Sequence, residues 1–325
     1  MQSNAIFNIK TSAEFEDLAL QSFKHQWEFN AIYKRFCNHL GIDPSRINTV
    51  EKIPFLPIQF FKQFDVLASQ NPVQAIFTSS GTTGSVTSKH HVTDLDMYVK
   101  SFREGFKLHY GNIEEYIVLA LLPSYLERDG SSLIVMVDQL IKDSKKEESG
   151  FYLNDYPGLS EKLKRLDAEG EKILLIGVSF ALLDLTEAFQ FNLNNTIVME
   201  TGGMKGRRKE LIRDELHQLL KNGFGVDKIH SEYGMTELLS QGYSKGDGIF
   251  TTPPWLCVYM RDTEDALQLV PEGVTGGINV IDLANHNSCP FIATQDLGKK
   301  LDENRFEILG RFDTSDIRGC NLMVF

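Results

Sequence analysis

Five hydroxyl side chains and two glycines fill the run Thr78-Ser79-Ser80-Gly81-Thr82-Thr83-Gly84. Hydroxyls both give and take hydrogen bonds, and the backbone amides of a tight loop can line an anion-binding concavity. Gly81 and Gly84 tolerate positive φ and let the backbone approach a ligand. The loop directly follows the apolar stretch Ala75-Ile76-Phe77, so it reads as a loop leaving a strand. The ligand it suits is a polyphosphate. It is not a Walker loop, because no Gly-Lys-Ser/Thr closes it: Gly84 is followed by Ser85-Val86-Thr87-Ser88, and the first lysine is Lys89. Runs of this composition also serve as plain surface linkers, so its meaning depends on what accompanies it.

Four further segments carry residues able to do chemistry. They are Glu200-Thr-Gly-Gly-Met-Lys205, Ser231-Glu-Tyr-Gly-Met-Thr-Glu237, Ala293-Thr-Gln-Asp-Leu-Gly298 and Gly310-Arg-Phe-Asp-Thr-Ser-Asp-Ile-Arg-Gly-Cys320. Each taken alone has an ordinary reading. A Tyr-Gly pair commonly ends a strand, a Thr-Glu pair commonly starts a helix, and an Asp before Leu-Gly commonly makes a turn.

The elements that must hold these segments show in the hydrophobic pattern. Thr11 and Glu14 have capping-box spacing, and apolar residues then recur at near-helical spacing from Phe15 to Leu40, predicting one or two helices over 12–40. Ile53-Pro54-Phe55-Leu56-Pro57 is extended, since each proline pushes its predecessor out of the helical region. Phe60-Phe61-Lys62 is expected to pack under the glycine loop. From about 90 to 240 helices alternate with apolar strands: helices at 94–109, 131–142, 159–168, 180–190 and 206–221, strands at 116–122, 172–176, 195–200 and 226–230. This rhythm predicts a layered α/β domain. After 245 short strands at 257–260, 267–270, 277–283, 290–294 and 305–309 predict a small β-rich subdomain. The expected division is 1–245 as an α/β nucleotide- and acyl-binding region and 246–325 as the β-rich part.

Composition narrows the function. A net charge of −11 argues against nonspecific nucleic-acid binding. No apolar run reaches the length of a membrane span, and the N-terminal residues lack a basic segment followed by an apolar one. Cys37, Cys257, Cys289 and Cys320 lie far apart, with neither zinc-type spacing nor a disulfide framework. The expected setting is the cytoplasm.

The loop and the four segments, in this order, resemble the adenylate-forming superfamily of acyl-CoA synthetases and aryl-CoA ligases. The Ile53–Pro57 segment with its Phe-Lys, the loop without a Pro-Lys pair and the Arg318-Gly319-Cys320 ending are similar to its acyl-protein synthetase branch, known from the fatty-acid reductase of bacterial bioluminescence. The resemblance implies ATP and Mg²⁺ as cofactors and a carboxylic acid, fatty or aryl, as substrate. The acid would attack the α-phosphorus of ATP, releasing pyrophosphate and leaving an acyl-adenylate. By the same resemblance Thr78, Ser79, Ser80, Gly81, Thr82, Thr83 and Gly84 hold the β- and γ-phosphates. Tyr233, followed by Gly234, stacks on adenine, and Gly202 and Gly203 let the backbone pass beside it. Thr236 binds the α-phosphate and Glu237 helps hold Mg²⁺. Asp296 takes the ribose hydroxyls, supported by Arg311. The acyl pocket falls near Leu122–Tyr125, Ile176–Phe180 and Met235–Leu239.

The chain departs from the superfamily pattern in three places. Lys89 comes five positions after Gly84, with His90 and His91 beside it, where the family has Pro-Lys soon after the last glycine. The hinge motif is one residue shorter, with Asp313 and Asp316 both near the hinge aspartate position. The sequence stops at Phe325, whereas full-length relatives continue for about a hundred residues into a lid bearing a catalytic lysine. The expectation is therefore a chain without the lid domain. The acyl acceptor is then a thiol: its own Cys320, which matches the branch's acylated cysteine, a carrier protein, or coenzyme A. A reductase or a lid-supplying partner could complete it. The alternative is a non-catalytic relative that binds nucleotide or acyl-adenylate as a partner subunit.

Overall fold

The computed structural model describes residues 5–79, 86–122, 130–153, 155–202 and 211–312. Contacts group these into two compact units, each discontinuous in sequence: Met1–Gly105 with Gly234–Gln241 and Thr251–Phe325, and Phe106–Tyr233 with Gly242–Phe250. The sequence division at residue 245 follows chain order; the contacts follow a different grouping.

The chain enters the first unit through α1 (Ser12–Phe29) and α2 (Ala31–His39). The capping box at Thr11 is formed: its side chain accepts from Glu14 N, and Glu14 Oε2 accepts from Thr11 N at 3.1 Å. Asn30 separates the two helices and caps the second, taking a hydrogen bond from Tyr33 N. Then come β1 (Leu56–Pro57), α3 (Phe60–Gln63), β2 (Ala75–Thr78), β3 (Lys89–Val92) and α4 (Leu95–Tyr110). The antiparallel hairpin of β2 and β3 carries the glycine loop between its strands, with Thr78 opposite Lys89.

In the second unit β4 (Ile117–Leu121), α5 (Ser132–Ser144), β5 (Gly150–Phe151), α6 (Tyr156–Ala168), β6 (Ile173–Gly177), α7 (Ser179–Ala188), β7 (Thr196–Thr201), α8 (Arg213–Phe224) and β8 (His230–Tyr233) follow in turn. The strands β5, β4, β6, β7 and β8 lie side by side in that order, all parallel. Every residue of β4 and β6 is buried, as expected for strands covered on both faces. Then β9 (Gly242–Ser244) pairs antiparallel with β8, and β10 (Ile249–Thr251) closes the excursion.

Back in the first unit, β11 (Leu256–Arg261), β12 (Thr275–Asp282), β13 (Phe291–Lys300) and β14 (Arg305–Arg311) form an antiparallel ladder, with β1 parallel to β13. Trp255, Val280, Ile281 and Phe291 are among its buried side chains. The strand expected at 267–270 reduces to one bridge, Arg261 to Leu269, and the one expected at 226–230 lies instead at His230–Tyr233. The helix expected at 206–221 is described from Arg213 to Phe224; residues 203–210 lie outside the described residues.

Candidate active site

The base of the glycine loop is pinned. Ser79 N donates to Ser88 O at 3.2 Å, and Ser88 N donates to Ser79 Oγ at 3.0 Å. Ser80, Gly81, Thr82, Thr83 and Gly84 lie outside the described residues, as do Gly203 and Cys320. Thr78 and Ser79 are half-buried at the end of β2, and Lys89 is exposed on β3.

Thr236 and Glu237 do not start a helix. They form a turn after β8, held by buried side chains of the first unit. His90, 1% exposed, places Nδ1 2.8 Å from Thr236 O. Asn285 Nδ2 donates to Glu237 O at 2.8 Å and to Cys289 O at 3.0 Å. Its Oδ1 is thereby turned to His90 Nε2, 2.9 Å away. Three residues before Asn285, the carboxylate of Asp282 accepts from Leu239 N at 2.7 Å, Ser240 N at 3.0 Å and Ser240 Oγ at 2.6 Å. Ala284 N adds a fourth donor at 3.2 Å. Ser240 Oγ also meets Ser101 Oγ at 2.9 Å, and Trp255 Nε1 donates to both hydroxyls.

Glu237 is itself buried, and burial pushes its carboxyl above the ordinary carboxylate range. Hydrogen bonds from Ser88 and from its own backbone N–H, and the charges of Arg311 and Lys62, work against that rise. The loop base, the Thr-Glu turn and Arg311 thus act on one carboxylate. Arg311 in turn donates Nε–H to Asp296 Oδ1 at 3.0 Å, across a register that sets the two residues opposite each other on β13 and β14. Asp296 sits inside a strand rather than at a turn. Its backbone N–H donates to Thr294 Oγ1 at 3.1 Å. Beneath it, buried Arg261 donates to Ile278 O, Asn279 Oδ1 and Thr294 O, fastening β12 to β13 where their register shifts.

In the second unit, Gly202 and Tyr233 each stand one residue past the last registered positions of β7 and β8, Thr201 opposite Glu232. Ligands of parallel α/β sheets bind at such carboxyl ends. Gly202 takes φ +60°, a conformation that favours glycine, and its carbonyl accepts from Ser179 Oγ at 3.1 Å. The same hydroxyl donates to Glu200. The Tyr233 ring packs edge-on against Phe250, centroids 6.1 Å apart, and the guanidinium of Arg213 lies 4.7 Å over that Phe250 ring. Gly234 is exposed and opens the return to the first unit. Of the positions assigned to an acyl pocket, Leu122, Ile176, Val178, Phe180, Leu238 and Leu239 are buried; 123–129, including Tyr125, lie outside the described residues.

Sequence reasoning passed over Asp282 and Asn285. The available signal was a lone acid closing the apolar run Ile278-Asn-Val-Ile281, with an asparagine three residues later. Burying such groups is costly unless they are paired.

This sequence matches the acyl-protein synthetase, LuxE, family over residues 8–112 and 154–325. The chain belongs to that family. Its relative in Vibrio harveyi, a long-chain-fatty-acid–luciferin-component ligase, is 23% identical over 362 residues, covering 97% of this chain and 94% of the relative. Among solved structures, 2-hydroxyisobutyryl-CoA ligase in complex with 2-HIB-AMP and CoA superposes with a TM-score of 0.66 at 14% identity, covering 93% of this chain and 70% of that one. ATP-bound MatB from Rhodopseudomonas palustris gives 0.56 at 17% identity, over 75% and 49%. These likenesses give the family member the fold of adenylate-forming ligases. No helix of the described residues is long and apolar enough to cross a membrane.

Proposed function

We propose that this family member uses ATP to activate a carboxylic acid, fatty or aryl, as an acyl-adenylate and then passes the acyl group to a thiol. The observation that carries the reading is Glu237. It is a buried carboxylate hydrogen-bonded by Ser88 at the base of the glycine loop, one residue after the Thr236 hydroxyl. Family membership and the ligases sharing the fold support it.

In the first step a carboxylate oxygen forms a bond to the α-phosphorus. The bond from that phosphorus to the bridging oxygen breaks, and pyrophosphate leaves with the electron pair. The chain's part is positioning and charge neutralisation. The loop residues Thr78, Ser79, Ser80, Gly81, Thr82, Thr83 and Gly84 hold the β- and γ-phosphates through hydroxyls and amides. Thr236 donates to the α-phosphate. Tyr233 offers its ring to adenine, with Gly202, Gly203 and Gly234 keeping side chains clear of it. Asp296, steadied by Arg311, takes the ribose hydroxyls.

Glu237 suits a magnesium ion. Its burial disfavours a bare negative charge, and Mg²⁺ is commonly held by one or two carboxylates together with substrate phosphates. Among the described residues no cluster of three acidic, histidine or cysteine side chains could hold a metal alone. The ion would neutralise charge on the phosphates; Glu237 would orient it and Thr236 would complete the phosphate contact.

In the second step a thiolate attacks the acyl carbon and AMP leaves. Burial pushes the Cys37 thiol up to about 12 and raises Cys257 and Cys289 as well, so none of these three is poised as a nucleophile. That favours Cys320, beside Arg318, as acceptor, with a carrier protein or coenzyme A as the other thiols. A reductase or lid-supplying partner would act after or beside this step, in the cytoplasm.

Acid-dependent exchange of pyrophosphate into ATP across short, long and aromatic acids tests the first step. Exchange with at least one acid, lost in Glu237→Gln, is expected; an intact protein that exchanges with none, with or without added partners, overturns it. Intact-mass measurement after ATP and acid tests the second. A covalent acyl group should appear and vanish in Cys320→Ser.

A further inference from the structure

We infer that His90 is a positioning residue for the adenylation step, and that it acts by donating Nδ1–H to the carbonyl of Thr236, while Asn285 holds the next carbonyl, that of Glu237. The inference rests on the functional reading above. It adds a residue from outside the motif pattern, and it assigns a task to one of the two nitrogens.

Two oxygens face one ring. Thr236 O lies 2.8 Å from Nδ1 and Asn285 Oδ1 lies 2.9 Å from Nε2. Turning the Asn285 amide over would set its oxygen against the carbonyls of Glu237 and Cys289, both of which now accept from Nδ2. The amide orientation is therefore fixed by its partners. Burial keeps the imidazole neutral, pushing it down to about 4. A neutral ring has one N–H to give. Given to Thr236, it anchors the turn at the residue that carries the α-phosphate hydroxyl, and leaves Nε2 without a proton opposite Asn285 Oδ1, so that this second contact is no hydrogen bond. Given to Asn285, it would leave a half-buried carbonyl beside the site without its donor. Phe61 and Phe77 hold the ring from its sides, with centroids 5.7 Å and 6.4 Å away. His90 thus cannot swing off to a second partner. Its place on β3, two residues after Ser88, ties the loop base to the turn through one strand.

The proposal can be separated from mere packing because two substitutions split the ring's functions. In His90→Asn the side-chain nitrogen falls where Nδ1 was and can still donate to Thr236 O, at the cost of a cavity. In His90→Gln the nitrogen falls where Nε2 was, serves Asn285 Oδ1, and leaves Thr236 O without a donor while filling more of the space. If His90 were only a core residue, the glutamine variant would be the better protein in every respect. The expectation is the reverse for activity. Exchange turnover in His90→Gln should fall about 100-fold, the scale of a small misplacement of reacting groups, with the KM for ATP within about threefold. His90→Asn should stay within about tenfold of wild type despite a lower melting temperature.

A second readout does not depend on turnover. The rise in melting temperature produced by ATP should have a part that requires Mg²⁺. That part should persist in His90→Asn and vanish in His90→Gln. If His90→Asn loses as much turnover as His90→Gln or more, or if turnover simply follows melting temperature across the two variants, the positioning role is wrong. If the wild type shows no exchange with any acid, the functional reading falls, and the Mg²⁺-dependent thermal shift still decides the role of His90: loss in the glutamine variant alone supports it, and equal retention or equal loss in both overturns it.

Discussion

Two buried carboxylates belong to the Thr236–Ser240 turn, Glu237 within it and Asp282 bonded to its amides, and their surroundings differ sharply. Asp282 is met by four donors from its own chain, two of them backbone amides of the turn. Glu237 is met by Ser88, by its own backbone N–H and by the charges of Arg311 and Lys62. Burial raises both groups, Asp282 to about 6. Asp282 takes four donors and holds the fold, whereas Glu237, among the described residues, is bonded by Ser88 and its own backbone N–H in a place where a bare charge is disfavoured. A group left in that condition is useful to a ligand that brings positive charge.

The strongest way to break the comparison is to remove each carboxylate in turn. Asp282→Ala strands Leu239 N, Ser240 N, Ser240 Oγ and Ala284 N in the interior, and should lower unfolding free energy by about 4 kcal/mol in urea titration. Glu237→Gln should do the opposite. Its stability should stay within about 1 kcal/mol of wild type, while exchange turnover falls about 100-fold or more. If Glu237→Gln were the less stable of the two proteins, the carboxylate would be structural and its assignment to the magnesium ion would fail.

The same two residues show what a sequence exposes and what it hides. Glu237 could be singled out as a candidate because it stands in a contiguous motif, Tyr233-Gly-Met-Thr-Glu237. Asp282 could not, since three of its four donors lie 42 and 43 residues away and nothing near it announces them. Elements followed this rule too. Thr11 and Glu14 form the expected capping box, which needs only local geometry. The all-apolar runs at 117–121 and 173–177 became buried parallel strands. By contrast β3, Lys89-His-His-Val92, has a polar spelling and is a strand because β2 pairs with it. The Thr-Glu pair, which favours a helix start, became a turn because His90, Asn285 and Asp282 claim its backbone groups. Tertiary partners overrode local preference at the very segment proposed to bind phosphate and metal.

Acid should separate the groups around the turn by sign. His90 has its pKa lowered to about 4 by burial, with His91 adding to the fall and the contacts to Thr236 and Asn285 opposing it. The folded ring refuses a proton that the unfolded ring takes near pH 6.5, so its stabilisation is whole above pH 6.5 and drains as pH falls toward 4. Asp282 and Glu237 have raised values. Their share favours the folded chain in acid and is lost as pH rises, through about 6 for Asp282. Between pH 7 and pH 5 the wild type should therefore lose about 2 kcal/mol more than His90→Asn does. Urea titrations of both proteins at the two pH values measure the difference. Equal losses would mean that His90 is protonated in the folded chain and donates from both nitrogens.

The smallest effect concerns the ion pair at the edge of the site. Arg311 is 80% exposed in its side chain and Asp296 9%, so the pair is screened on one side and its loss in Arg311→Gln should cost at most about 1 kcal/mol of stability. Its value should appear in binding instead, as a KM for ATP raised several-fold. Arg311→Lys then decides why. Lysine keeps a positive charge near Glu237 but gives up the planar N–H aimed at Asp296 Oδ1. If the contact with Asp296 is what orients that carboxylate for the ribose, KM stays raised in the lysine variant. Full recovery by lysine would make Arg311 a source of charge, and would place it with Glu237 rather than with Asp296 in the working of the site.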